Sequence, residues 1–250
     1  LVSVMFVNNE VGAVSPVAEI VAAAHTAGAL AHTDAVQAAG LLALDVDALG
    51  VDLMSLSAHK VGGPKGAGAL YVRAGTPFAA FVAGGSQERR RRGGTENVAA
   101  VVGFAEALAL AEAEREAHAE RLGALHVRLA TRLRDAFGDA VRFNTPLAGF
   151  AERAAPVGPH VLSVSFRPDG GALDGQMLLV GLDLEGVHVS AGSACTSGAP
   201  EPSHVLQAMG VPRDAAGATV RFSLGRTTTE ADVDEAADAV QRVVGRLAAV

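Results

Sequence analysis

The feature that most constrains this chain is a repeated pairing: a short apolar run that ends on polar side chains, followed by a helical stretch. Val2–Val7 is apolar and ends in Asn8-Asn9-Glu10. Ser15-Pro16 then offers a helix N-cap with proline at the first helical position, Ile20, Val21 and Ala24 continue that helix, and Gly28 closes it. Ala29–Thr33 is the next strand, ending at Asp34, and Asp52–Ser57 is another, ending at His59-Lys60. Ala69–Val72 follows a glycine-rich turn. Strands alternating with helices predict an α/β fold with a mainly parallel sheet and flanking helices. Such sheets bind ligands just past the C-terminal ends of their strands, where the polar residues fall here.

The second half reads differently. Asn97 to about Phe137 is helical, with Leu108, Leu122, Leu125, Leu129 and Leu133 at helical spacings. A smaller α+β C-terminal domain follows, with strands at Val161–Phe166, Val187–Ser190 and Thr219–Phe222. Gly149–Pro159 reads as loop. The last helix, Glu230–Leu247, carries Val233, Val240, Val244 and Leu247 on one face, and Thr229 with Asp232 forms a capping-box signal at its start. The expected division is 1–112 for the larger α/β domain and 113–250 for the smaller one; 250 residues suffice for one large or two modest domains.

Composition excludes several classes. Apolar residues make up 50 %, too many for a disordered chain. Aromatics are only 4 %, which argues against a stacking platform for single strands. The net charge of −7 argues against a nucleic-acid or anionic-membrane partner. One cysteine excludes a disulfide framework, fits a reducing cytoplasm, and with the histidine spacings leaves no metal site expected. The chain opens at Leu1 in mid-strand pattern, which reads as lacking upstream sequence.

Five constellations carry chemistry. Ser57-Ala58-His59-Lys60, followed by Gly62-Gly63-Pro64-Lys65-Gly66, offers a Schiff-base lysine at a strand end, since desolvation makes a lysine amine nucleophilic. An exposed loop lysine is the plainer alternative, and Lys65 is a rival. Asp34 either caps the helix that follows it or pairs with a protonated pyridine nitrogen, with Gln37 near the ring hydroxyl. Cys195, among Gly192–Gly198, is either an inert buried thiol or a reactive one on a small-residue loop. Arg221 is either a carboxylate clamp or a surface ion-pair partner. Arg89–Arg92 before Gly93-Gly94-Thr95 is an anion site, a solvated loop or a small nucleic-acid patch.

Together these motifs resemble the pyridoxal-phosphate-dependent cysteine desulfurases of the NifS/IscS type. The segments that carry the resemblance are Val7–Gly12, Asp34–Gln37, Ser57–Lys60 through Val72, Gln87–Asn97, Ser193–Ser197 with Glu201-Pro202-Ser203, and Arg221–Arg226, in family order along nearly the whole chain. The Cys195 loop resembles the NifS/IscS group rather than the SufS group. The resemblance implies a fold-type I PLP-dependent transferase acting on L-cysteine, with pyridoxal 5′-phosphate as cofactor. By that resemblance Lys60 carries the cofactor on its amine and moves the Cα proton, and Asp34 pairs with the pyridinium nitrogen. Gln37 and Asn9 contact the ring oxygen. Ser57 and His59 hold the phosphate, with Thr95 arriving from the partner subunit of a homodimer. Arg221, with Asn9, binds the substrate carboxylate. Cys195 takes the sulfur as a persulfide and passes it to an acceptor protein, an iron–sulfur scaffold or a tRNA-thiolating enzyme. The family's phosphate-binding Gly/Thr turn and its ring-stacking histidine precede the Asn-Asn-Glu motif and have no counterpart here. Another fold-type I lyase, or an inactive desulfurase fragment, are the alternatives. The four-arginine run is more basic than the family motif.

Overall fold

The computed structural model describes residues 1–147, 157–167, 171, 173–192 and 203–249. The chain divides into two compact units, Leu1–Val7 with Ser15–Glu116, and Asn8–Val14 with Ala117–Val250.

The first unit is built on a four-stranded sheet in the order β1 (Val2–Met5), β2 (Ala31–Asp34), β3 (Leu53–Ser57) and β4 (Gly68–Val72). The first three are parallel and β4 is antiparallel to β3. That last reversal is local: the chain turns back through Ala58–Val61 and Gly62 and Gly66, both at positive φ, too few residues for a crossover helix. The sheet has two unlike faces. Ala31, Thr33 and Met54 alternate onto one face and are buried. Ser3, His32, Asp34, Ser55 and Ser57 alternate onto the other, which is polar. Helix α1 (Val17–Thr26) buries Val17, Val21 and Ala24, the i, i+4, i+7 stripe. It starts after Pro16 with no side-chain cap, so Ser15 does not play the capping role its sequence offers, while Gly28, at φ +70, ends it as expected. Buried Asp52 accepts the Ala31 amide at 2.8 Å and meets His25 of α1 at 2.9 Å, tying helix to sheet. A one-turn helix α2 (Val46–Leu49), capped by Asp45, leads into β3.

Two further helical segments follow β4. The turn α3 (Gln87–Arg90) contains three successive non-glycine residues at positive φ, Glu88 at 46°, Arg89 at 57° and Arg90 at 65°. Helix α4 runs Val98–Phe137 and contributes to both units. Its second part buries Leu122, Leu125, Leu129 and Leu133, four of the five leucines its spacing singled out, and Leu108 is half-buried.

The second unit holds a three-stranded antiparallel sheet, β5 (Val141–Phe143), β6 (Val161–Phe166) and β7 (Thr219–Ser223), with β6 central and buried along its whole length. Strand β5 was not expected. The expected strand at Val187–Ser190 is reduced to one bridge, Ser190 with Arg221. Helix α5 (Gly175–Leu184) packs on α8 (Glu230–Ala248), which buries Val233, Val240 and Val244 as its pattern predicts, with Leu247 half-buried. The Thr229–Asp232 capping box is formed in both directions. Short helices α6 (His204–Ala208) and α7 (Arg213–Gly217) complete the unit. The segment Asn8–Val14 belongs to it through Val11, which packs with Leu206, Val211, Ala215 and Ala216, and through the Ala13–Val157 bridge. Gly12 is at φ +72, and a Cβ there would lie 3.1 Å from the Val161 carbonyl, so glycine is required. Among the described residues no helix is long and apolar enough to cross a membrane.

Candidate active site

The polar residues of the first unit gather where the parallel strands end. Asp34 closes β2 and Ser57 closes β3, its neighbour in the sheet. The Asp34 carboxylate accepts the Val36 amide through Oδ1 at 2.9 Å, so it caps a turn where a helix was expected. That contact leaves Oδ2 for another donor, and both sequence readings of Asp34 are compatible with one carboxylate. Gln37 lies in the same turn, half-buried. Past Ser57, one 3₁₀ turn carries His59 and Lys60, both exposed. Ser57 Oγ and His59 Nδ1 lie 2.8 Å apart, which holds the imidazole over the strand end. Lys65 is also exposed but lies further round the loop toward β4. Of the glycines between them, Gly63 serves packing, since a Cβ there would sit 3.0 Å from the Ala58 carbonyl and 3.3 Å from the Ala107 Cβ.

Sequence reasoning missed His32. Its Nδ1 is 2.7 Å from Ser3 Oγ and its Nε2 2.8 Å from Ser55 Oγ, so one ring links all three parallel strands on the polar face. Burial pushes its pKa below the ordinary value, and the charge of Asp34 opposes that. The signal was available, since residues two apart on a strand share a face and His32 stands two before Asp34.

Thr95 is exposed ahead of α4, and no contact among the described residues ties it to the strand ends. Arg89–Arg92 are all exposed; Arg91 lies 6.0 Å over the Phe78 ring and Arg92 donates to the Gly93 carbonyl at 2.8 Å.

In the second unit the structure brings Asn9 and Arg221 together. Arg221 is half-buried on β7; Nη1 donates to the Asn9 carbonyl at 3.1 Å and Nη2 to Ser190 Oγ at 3.4 Å. Asn9 thus contributes its backbone oxygen here. The Arg221 Nε is buried and has no partner among the described residues. Burial lowers the guanidinium pKa while the nearby Glu10 charge raises it. Glu10 itself is only 3 % exposed and accepts Ser203 Oγ at 2.5 Å. It too escaped the sequence reading, being taken only as part of the Asn-Asn-Glu motif. Cys195 lies outside the described residues, as do Glu201 and Pro202.

The first unit thus places a lysine one turn past a strand whose parallel neighbour ends in an acid, and the second unit holds a desolvated arginine. The aminotransferase class-V family model matches residues 1–236, and the chain belongs to that family. It is 42 % identical over 247 residues to the cysteine desulfurase IscS of Dictyoglomus turgidum, covering 99 % of this chain and 60 % of that protein. The structure of a NifS-like protein from Rickettsia africae superposes with a TM-score of 0.84 at 29 % identity, over 97 % of this chain and 61 % of that one. A structure of SspA in complex with cysteine matches with a TM-score of 0.68 at 31 % identity, over 89 % of this chain and 58 % of the other. The chain spans about 60 % of the length of the curated relative it matches. The fold is the α/β fold-type I fold of those NifS-like enzymes, with a mixed, mostly parallel sheet.

Proposed function

We propose that the chain carries the working residues of a pyridoxal-phosphate-dependent cysteine desulfurase, which takes sulfur from L-cysteine and releases L-alanine. The observation that carries the reading is Lys60 one turn past β3, beside a strand that ends in Asp34 with a carboxylate oxygen to spare. The donor set suits the cofactor: an amine for its aldehyde, an acid for its ring nitrogen, and hydroxyl and imidazole groups for its phosphate.

Pyridoxal phosphate, when bound, supplies the electron sink that makes the Cα proton acidic and loosens the Cβ–S bond. Lys60 would hold it and, once displaced by substrate, move the Cα proton. Asp34 would keep the ring nitrogen protonated through Oδ2. Gln37 and the Asn9 side chain would face the ring oxygen. Ser57 and His59 would take phosphate oxygens, with Thr95 supplied by a second copy in a homodimer. The Arg221 Nε, buried and unpartnered, is a donor available to the substrate carboxylate. Cys195, as thiolate, would attack the substrate sulfur. The S–Cβ bond breaks, the Sγ–S bond of a persulfide forms, and the electron pair left on the substrate is protonated to give alanine. A sulfur-acceptor protein would then receive the terminal sulfur in the cytoplasm.

The test is incubation of the chain with pyridoxal phosphate and L-cysteine, following alanine and the persulfide by mass spectrometry. Alanine with one added sulfur on Cys195 is expected, and Cys195→Ser should lose both. Continued turnover by Cys195→Ser, without an enzyme-bound sulfur, would instead make the protein a lyase.

A further inference from the structure

Arg221 is a desolvated cation whose hydrogen bonds go to two neutral groups, a backbone carbonyl and a serine hydroxyl. A half-buried charge of that kind is stabilised by a counter-charge close by. The Asn9 carbonyl that accepts Nη1 belongs to the peptide bond joining Asn9 to Glu10, so Glu10 is the acid beside this guanidinium, and no salt bridge joins the two side chains. One oxygen of the Glu10 carboxylate, Oε2, is engaged elsewhere. Ser203 Oγ donates to it at 2.5 Å while accepting the amides of Val205 and Leu206, at 3.1 and 3.4 Å, as the N-cap of α6. The Glu10 backbone is fixed as well: Asn8 Oδ1 accepts the amides of Glu10 and Val11 at 2.9 and 3.0 Å. A Cβ on Gly192 would come within 3.2 Å of that same oxygen, Oε2, so Oε2 is enclosed by Ser203 and the Gly192 backbone. Glu10 is therefore anchored beside Arg221 through Oε2 and makes no bond to Nε, which is left open.

We propose that Glu10 is a positioning residue of the Arg221 site: anchored by Ser203, it supplies the counter-charge that holds the guanidinium ready, and it weakens the grip of that guanidinium on a carboxylate so that amino-acid carboxylates exchange rather than stay bound. The inference rests on the reading of Arg221 as the carboxylate clamp. Its chemistry is simple. An arginine with no acid nearby binds an anion with its full charge, whereas one that shares its field with a fixed carboxylate binds the same anion less tightly.

The experiment uses propionate, a carboxylate without an amine, titrated into the full 250-residue chain. The readout is the Nε–H resonance of Arg221, assigned by its loss in Arg221→Lys. Propionamide is the neutral control. Glu10→Gln keeps the acceptor for Ser203 and removes the charge; it should bind propionate about three- to tenfold more tightly, with propionamide unchanged. Glu10→Asp restores the charge and should return the affinity toward that of the parent. Ser203→Ala should act in the opposite sense, because a freed Glu10 can close on Nε and weaken propionate binding; it also carries the test if Glu10→Gln does not fold. Equal or weaker propionate binding by folded Glu10→Gln, or no weakening in Ser203→Ala, overturns the role of Glu10 and leaves Arg221 as the clamp. If propionate moves the Arg221 resonance in no variant, the clamp reading itself fails, and this inference with it.

Discussion

Asp34 shows how one side chain serves fold and chemistry at once. Its Oδ1 is committed to the Val36 amide, so Asp34→Asn can keep that bond and lose only the charge. The expected result is a thermal midpoint close to the parent's and an affinity for pyridoxal phosphate at least about tenfold weaker, some 1.4 kcal/mol, read by absorbance titration. A large loss of stability would mean the acid is mainly a turn cap. His32 makes a pH prediction. Its folded pKa lies below the ordinary value near 6.5, so the unfolded chain binds its proton more readily. The stability this gives is present above about pH 6.5 and is lost as pH falls through the lowered value. His32→Gln should therefore melt with a shallower dependence between about pH 7.5 and 5 than the parent. An unchanged slope would assign that dependence to other groups. Much of this residue-level picture was legible in the sequence: Lys60, Asp34 and Arg221 were visible because each ends or lies on an apolar run. Glu10 was not, because a buried carboxylate announces itself only through a partner distant in sequence, Ser203; for His32 the shared strand face with Asp34 was readable, but its bridging of Ser3 and Ser55 was not.

At the scale of elements, stability rests on a few stripes. Leu133 on α4 is fully buried, and Leu133→Ala should cost about 2–5 kcal/mol in denaturant unfolding. Thr229 both caps α8 and donates to Asp232, and Thr229→Ala should cost about 1 kcal/mol. If the Thr229 change cost as much as the leucine, the helix end rather than the core would be limiting. These helices were readable because their apolar period runs over many turns. The sheet of the second unit was less so. Val141–Phe143 has three residues, too few for an alternation to stand out, and Val187–Ser190 has the composition of a strand but makes only the Ser190–Arg221 bridge. Tertiary pairing decided both, and a local pattern does not contain it. The antiparallel β4 was likewise fixed by loop length, since the chain between β3 and β4 is too short to cross over.

At the scale of the molecule, the chemistry is divided. Lys60, Asp34, Ser57 and His59 stand on the first unit, and Asn9, Glu10 and Arg221 on the second, with Asn8–Val14 belonging to the second although it follows β1 directly. The central claim is that Lys60, and not its neighbour Lys65, holds pyridoxal phosphate. Its direct test is borohydride reduction of the chain incubated with the cofactor, followed by peptide mass mapping. One reduced pyridoxyl group is expected, on Lys60, with markedly less after Asp34→Asn at limiting cofactor. Equal labelling of Lys60 and Lys65, or no labelling at saturating cofactor, would contradict it.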